Sequence, residues 1–108
     1  MTATFGEYIR QLRTNKGLTL TELAALLKLD SANLSKIENG KRDFDEKRLV
    51  ILANVFDLDF DKLKAEYFGE QFAKKMYKYN CSTETLSVAE KKIKYLKEVN
   101  VKQAKLKL

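Results

Sequence analysis

Histidine, proline and tryptophan are absent from this sequence of 108 residues, and cysteine occurs once, as Cys81. Without histidine and with one thiol, the residue sets that usually bind zinc or form a nucleophilic triad cannot be assembled. The carboxylates that remain lie mostly at predicted helix starts, where capping explains them. We therefore expect no metal site and no cofactor, and the sequence argues against an enzyme.

The single cysteine also excludes an internal disulfide. We interpret Cys81 as a small residue near a turn, and a redox role is the alternative. No apolar run approaches the roughly 20 residues that a membrane-spanning helix needs, and the N-terminus has no secretory pattern. These absences predict a cytoplasmic protein that does not cross a membrane.

Because no proline interrupts the helical periodicity and no alternating pattern competes with it, we predict an all-α fold. A capping residue followed three positions later by glutamate marks four helix starts: Thr4 and Glu7, Thr19 and Glu22, Asp43 and Glu46, Ser87 and Glu90. Gly17 and Gly40 are placed to end helices in a left-handed turn. The predicted helices of the first part are Phe5–Lys16, Leu20–Lys28, Ser31–Asn39, Phe44–Phe56 and a fifth that Asp59 caps.

The formal net charge is +6, and its distribution along the chain is uneven. Residues 1–58 carry nine Lys and Arg against eight Asp and Glu, whereas residues 59–108 carry twelve against seven. A basic balance is compatible with nucleic-acid binding, but it also serves simply to keep a protein in solution. Charge alone therefore does not decide the function.

Two segments together resemble the Cro/repressor-type helix-turn-helix domain of the XRE family: GLTLTELAALLKLDSANLSKIENGKR (residues 17–42) and LVILANVFDLDFDKL (residues 49–63). The most specific part of the resemblance is LSKIENGKR, residues 34–42. The resemblance implies a five-helix, lambda-repressor-like DNA-binding domain over residues 4–66, which docks as a dimer on a two-fold operator. Phage repressors, restriction–modification controllers and antitoxins all use this domain, and the sequence does not choose among them.

Three positions depart from the family pattern. Leu20 stands where the family commonly has a glutamine that helps to grip the DNA backbone, and a leucine side chain cannot make that contact. Lys28 and Asp57 stand at helix ends where glycine is common. Both residue types adopt left-handed backbone angles at a modest cost, so we expect the fold to be kept.

The second helix of the motif has one apolar face, defined by Leu34 and Ile37. In helix-turn-helix docking the N-terminal half of this helix enters the major groove, and the resemblance assigns base contacts to Ser31, Ala32, Asn33 and Lys36. Lys36 can donate to guanine, Asn33 can pair with an adenine edge, and Ala32 can pack on a thymine methyl group. The alternative is that these are ordinary solvent-facing residues.

Phosphate contacts are expected next to the same helix, because donors at these positions hold the protein on the duplex. The expected donors are the backbone amides of Leu20 and Thr21 and the side chains of Ser35, Asn39, Lys41 and Arg42. The resemblance also implies a structural ion pair, Arg13 with Glu38, that bridges the first and third helices.

Residues 67–108 form a predicted helical extension that is unusually aromatic, since seven of the eleven aromatic residues follow residue 59. Its apolar residues recur at helical spacing, which predicts a dimer interface made by Phe68, Phe72, Met76, Tyr79, Ile93 and Leu96. Two other roles are compatible with the same pattern. The segment could fold back as extra core, or it could bind another protein.

These observations together predict a sequence-specific, double-stranded-DNA-binding transcriptional regulator that acts as a homodimer, most simply as a repressor that occludes a promoter. The alternative is an antitoxin-like interaction protein that binds a partner polypeptide through residues 67–108.

Overall fold

A computed structural model describes residues 3–106 of the protein, with side chains described as far as Val101. Residues 107 and 108, the end of the predicted extension, lie outside this range. The described range is all-helical and contains no strand, so the predicted all-α class is confirmed. Its helices are α1 (Phe5–Asn15), α2 (Leu20–Leu27), α3 (Ser31–Glu38), α4 (Leu49–Phe56), α5 (Phe60–Lys78) and α6 (Glu84–Leu106), with a short 3-10 turn at Glu46–Arg48.

The first three helices begin at the predicted capping residues. The hydroxyls of Thr4 and Thr19 each accept a hydrogen bond of 3.1 Å from the backbone amide of the glutamate three residues on. In both cases that glutamate returns a bond to the backbone amide of its threonine, which completes a capping box. Asp30 caps α3 by accepting from the amide of Asn33 at 2.6 Å. These local bonds satisfy amides that a helix start leaves without a partner.

Left-handed residues end the helices. Gly17 and Gly40 have φ angles of 74° and 75°, as the sequence predicts for helix-ending glycines. Lys28, Asp57 and Asn80 adopt the same conformation with φ of 60°, 51° and 53°. A side chain in this region costs on the order of 1 kcal/mol, so tertiary packing must compensate for it at Lys28 and Asp57, where the family commonly has glycine.

Two predicted helix starts are wrong. α4 begins at Leu49 and not at Phe44, because Phe44 is drawn into the core and its carbonyl oxygen accepts a hydrogen bond from the Tyr67 hydroxyl. The capping residue in this region is Asp45, which accepts from the amide of Lys47 at the start of the 3-10 turn. α6 begins at Glu84 rather than after Ser87, since the preceding turn runs directly into the helix.

The core is formed where α1 to α4 meet the beginning of α5. It contains Phe5, Ile9, Leu23, Ala24, Leu27, Leu34, Ile37, Phe44, Leu49, Leu52, Ala53, Leu63 and Tyr67. Phe5 is central to its aromatic part, with ring centroids 5.8 Å from Phe44 and 5.2 Å from Tyr67. The Tyr67 hydroxyl donates to the Phe44 carbonyl at 2.5 Å. The loop after α3 is therefore attached to α5 by packing and by a buried hydrogen bond.

The chain divides into two compact units, one ending at Phe72 and the other beginning at Ala73. Tyr67 is 7% exposed and belongs to the core of the first unit. This unit therefore extends past residue 66, the predicted end of the DNA-binding domain. The boundary lies within α5, which is continuous from Phe60 to Lys78. The second unit contains the end of α5, a turn with the exposed Cys81, and α6.

Gly6 lets α1 approach α3 closely. A Cβ atom built on Gly6 would overlap the backbone carbonyl oxygen of Ile37, near the C-terminal end of α3. Because backbone atoms cannot rotate away as a flexible side chain can, no larger residue fits here without moving a helix. The absence of a side chain at one position thus sets the distance between the first helix and the third.

We expect Gly6→Ala to lower the free energy of unfolding by about 1–3 kcal/mol, because the added methyl group forces α1 and α3 apart. Gly69→Ala is the matched control, since a Cβ at Gly69 has no neighbour within 4 Å. In α5 this control should stabilise the protein by about 0.5–1 kcal/mol through helix propensity. Urea denaturation measures both, and equal stability of the two variants would contradict the close approach.

Candidate nucleic-acid interface

The outer face of α3 carries the residues that the sequence assigns to base contacts. Leu34 and Ile37 are buried, at 0% and 4% exposure, and hold the opposite face against the core. Of the assigned residues, Ser31, Ala32 and Lys36 are exposed and Asn33 is half-buried. The fold therefore leaves all four positions at least partly accessible, from the first turn of α3 to its last. Their contact with bases stays a prediction.

The end of α3 has a defined backbone geometry. The amide of Gly40 donates to the carbonyl of Ile37 at 3.1 Å, and the amide of Lys41 donates to that of Lys36 at 2.9 Å. These two bonds form the motif in which a left-handed glycine reverses the chain just past a helix. They place the exposed Lys41 and Arg42 directly after the C-terminal end of α3.

Arg42 contacts a predicted base-contacting residue. Its Nη1 atom donates a hydrogen bond of 2.7 Å to the Oδ1 atom of Asn33, nine residues earlier. The contact links the loop after α3 back to the first turn of that helix. A residue predicted only to hold phosphate is thus bonded to a predicted base reader.

Two predicted phosphate-contacting residues of α3 are also bonded to each other. The side-chain amide of Asn39 donates to the carbonyl oxygen of Ser35 at 2.9 Å. The Oδ1 atom of Asn39 accepts a bond of 2.6 Å from Nη2 of Arg10 in α1. Asn39 is therefore held in one orientation at the surface, and Ser35 lies half-buried beneath it.

The start of α2 offers backbone donors. Its capping box uses the amides of Thr19 and Glu22, so the amides of Leu20 and Thr21 are those that the helix start presents to an external acceptor. The Leu20 side chain is half-buried and packs on the core, whereas Thr21 is exposed. The hydrogen bond from the Thr19 amide lowers the pKa of the Glu22 carboxyl, which keeps this cap ionised.

A buried carboxylate attaches α3 to α1. Glu38 is 2% exposed and is the one buried charged side chain among the described residues. Arg13 donates to it twice, from Nε to Oε2 at 2.8 Å and from Nη2 to Oε1 at 3.0 Å. The hydrogen bonds with Glu38 raise the pKa of the Arg13 guanidinium. Two parallel bonds of this kind fix orientation as well as distance.

Arg10 completes this network, and the sequence pattern did not predict its role. Its Nε atom donates to Oε1 of Glu38 at 3.3 Å while its Nη2 atom donates to Asn39. Arg10 precedes Arg13 by three residues, so both side chains lie on one side of α1. The three-residue spacing of Arg10 and Arg13 indicates in the sequence that they lie on one side of the helix. That both bind Glu38 is seen only in the structure, where α3 packs against α1.

Arg48 has a structural role that the sequence did not reveal. It donates to the carbonyl oxygens of Leu27 at 3.0 Å and Lys28 at 3.2 Å, at the C-terminal end of α2. It also forms an ion pair with Asp45 at 2.7 Å. These bonds satisfy carbonyls left over at a helix end and support the left-handed Lys28 in the turn between α2 and α3.

The residues predicted to mediate dimerisation are distributed over both units. In the first unit, Phe68 and Phe72 are 46% and 37% exposed. In the second unit, Tyr79, Ile93 and Leu96 are 64%, 52% and 59% exposed, and Met76 is half-buried. These apolar side chains are thus accessible, and a role in dimerisation stays a prediction.

The part of the chain that the structure describes contains neither a cluster of metal-binding side chains nor a membrane-spanning helix. Among the described residues no three His, Cys, Asp or Glu side chains cluster as a metal site would require. In the same part of the chain, no helix has both the length and the apolar character needed to span a membrane.

The helix-turn-helix family model matches residues 9–63, which run from within α1 through α2, α3 and α4 to the beginning of α5. The chain belongs to the Cro/repressor-type helix-turn-helix family. α2 and α3 are the two helices of the helix-turn-helix motif, and in DNA-binding motifs of this kind the second helix is the one called the recognition helix.

Two relatives of the helix-turn-helix chain come from Bacillus subtilis (strain 168). The HTH-type transcriptional regulator RghRB is 39% identical over 62 residues, which cover 56% of this chain and 45% of that protein. The HTH-type transcriptional repressor RghR is 36% identical over 69 residues, covering 61% and 51%. The matched part thus spans about half the length of these relatives.

One similar solved structure is the restriction-modification controller protein C.AhdI from Aeromonas hydrophila. It is 36% identical, with a TM-score of 0.49, and the match covers 55% of this chain and 86% of that one.

The buried carboxylate leads to a stability prediction for the helix-turn-helix domain. We expect Glu38→Ala to lower the free energy of unfolding by about 3–5 kcal/mol, because it leaves the Arg13 guanidinium without its counter-ion, although the bond from Arg13 to the Leu18 carbonyl remains. Thermal unfolding followed by circular dichroism measures the change. Glu90→Ala is the control: it removes an exposed pair with Lys94 at 4.0 Å and should cost under about 1 kcal/mol. An unchanged melting temperature for Glu38→Ala would exclude a structural role.

Proposed function

We propose that this chain is a sequence-specific, double-stranded-DNA-binding transcriptional regulator that acts as a homodimer in the cytoplasm. The observation that carries the proposal is the exposed face of α3, held rigidly by Glu38 and followed directly by Lys41 and Arg42. A rigid helix with donors along one face and cations at its end suits a major groove bordered by phosphates.

In this proposal residues from the first to the last turn of α3 read base edges. Lys36 donates to a guanine, Asn33 uses its side-chain amide, and the small Ala32 and Ser31 allow close approach at the helix N-terminus. Lys36 is exposed in the last turn of the helix, where its long side chain can reach the floor of the groove. Base contacts of this kind each discriminate by about 1–3 kcal/mol.

Residues around α3 hold the DNA backbone. Lys41 and Arg42 supply positive charge, while the amides of Leu20 and Thr21 point out of the start of α2. Asn39 and Ser35 add polar groups between these two places. Because binding to phosphates releases counterions, affinity should fall with salt, with a slope of roughly 0.9 per phosphate neutralised on a log–log plot.

Homodimer formation is assigned to the extension, residues 67–108. Leu86, Ile93 and Leu96 recur at seven- and three-residue spacing along α6, and each is more than half exposed. A stripe at this spacing is suited to pairing with the same stripe of a second chain. Two copies would then present two α3 helices to half-sites about 34–36 Å apart.

Repression is the mode that we propose for regulation. A dimer seated in two successive major grooves blocks access to the DNA beneath it, so no further chemistry is needed and no catalytic role is proposed. The relative RghR is named as a transcriptional repressor. For this chain the same outcome requires only an operator that overlaps a promoter.

Selection of bound sequences from random duplex DNA tests the proposal. We expect one enriched site with two-fold symmetry. On that site Lys36→Ala should reduce the discrimination between bases at one position per half-site by about 1–3 kcal/mol, since it removes a base contact. Lys41→Ala is the matched control, because it also removes one cation. It should weaken binding to all sequences about equally and reduce the slope of the salt dependence by about 0.9 per protomer. A wild-type protein that enriches no sequence would contradict the proposal.

The dimer prediction concerns α6. We expect Ile93→Glu to weaken self-association by at least about a hundredfold, because each chain would bury an unpaired carboxylate in the interface. Ser87→Glu adds the same charge at an exposed position of α6 outside the stripe and should leave the dimer intact. Sedimentation velocity measures both variants. A wild-type protein that stays monomeric at micromolar concentration would refute the prediction and leave α6 for a partner polypeptide.

A further inference from the structure

We infer that Arg42 is a positioning residue for base recognition, which fixes the side-chain amide of Asn33 and thereby sets what this position of α3 reads. The inference rests on the proposed DNA binding and assigns Arg42 a role beyond a phosphate contact. Its basis is the 2.7 Å hydrogen bond from Arg42 Nη1 to Asn33 Oδ1.

The chemistry of the two groups determines the orientation of the amide. A guanidinium group carries only donors, whereas the asparagine amide has a donor end and an acceptor end. The end of Asn33 that faces Arg42 must therefore be the oxygen. The amino group of Asn33 is then directed away from the guanidinium, and the flipped amide is disfavoured because it would place one donor group against another.

A fixed amide discriminates between bases and a rotating one does not. Base edges in the major groove differ in the order of their donors and acceptors. An amide that can present either end satisfies several of these patterns, whereas one fixed orientation satisfies fewer. Holding Asn33 before DNA arrives thus converts a permissive contact into a selective one, and it avoids ordering the side chain on binding.

Hydrogen bonds of the surrounding backbone hold Asn33 and Arg42 in position for this contact. The backbone N–H of Asn33 donates a hydrogen bond of 2.6 Å to the side chain of Asp30, the capping residue, and this bond holds the first turn of α3. Arg42 follows the left-handed Gly40, whose turn directs the chain back along the helix. Asn33 is half-buried, which limits the other partners that its oxygen can reach. Both ends of the hydrogen bond are therefore attached to ordered backbone.

The experiment compares Asn33→Ala, Arg42→Ala and Lys41→Ala on the sequence that wild-type protein selects. Asn33→Ala should relax one base position per half-site. Arg42→Ala should relax the same position, with discrimination there falling by roughly five- to a hundredfold. The double variant should be no more relaxed than Asn33→Ala alone, because both changes remove one contact. Lys41→Ala removes a neighbouring cation and should lower affinity without changing any base preference.

A measurement on the free protein accompanies the binding data. The side-chain amide NMR signals of Asn33 should shift in Arg42→Ala and stay in place in Lys41→Ala, and circular dichroism should confirm that both variants are folded. The inference is overturned if Arg42→Ala weakens all sequences uniformly, as Lys41→Ala does, or if Asn33→Ala relaxes no position. If the wild type selects no sequence, the proposed function itself fails, which is a different outcome.

Discussion

The carboxylate of Glu38 is buried at the end of α3, and two arginines of α1 donate hydrogen bonds to it. A buried charge of this kind is tolerated only when its hydrogen bonds are satisfied, so an arrangement of α1 and α3 that separates Glu38 from the two arginines is penalised. Gly6 brings the same two helices close enough for their backbones to touch. The exposed face of α3 thus depends on an interaction on its opposite side.

The network does not stop at the core. Arg10 extends it from Glu38 to Asn39, whose side-chain amide reaches the Ser35 carbonyl. On the other side, Arg42 returns to Asn33 across the face of the helix. Side chains that would meet DNA are therefore oriented before binding. Because these side chains are already ordered, less conformational entropy is lost on binding, which is a general route to selective recognition.

The extension has a different character from the helix-turn-helix domain. Over residues 84–106 it carries six lysines and three glutamates, together with the exposed apolar side chains Leu86, Ile93 and Leu96. An amphipathic helix of this composition gains stability by covering its apolar face. The outer face of α3 provides few hydrogen-bonding groups, mainly from Lys36 and Asn33. A second copy would add a second half-site, which compensates for modest affinity at each one.

The sequence by itself determined the helical class, the capped starts of α1 to α3, the glycine-ended turns after α1 and α3, and the family, because these features depend on neighbours within a few residues. It failed where distant residues compete for a segment. Phe44 lies outside α4 because its side chain is buried in the core and its carbonyl oxygen accepts a hydrogen bond from Tyr67. Arg48 donates a hydrogen bond to a carbonyl oxygen at the end of α2. Only the tertiary structure decided that Arg10 joins Glu38 and that Arg42 holds Asn33. Long side chains have many rotamers, and the packed fold selects which acceptor each one meets.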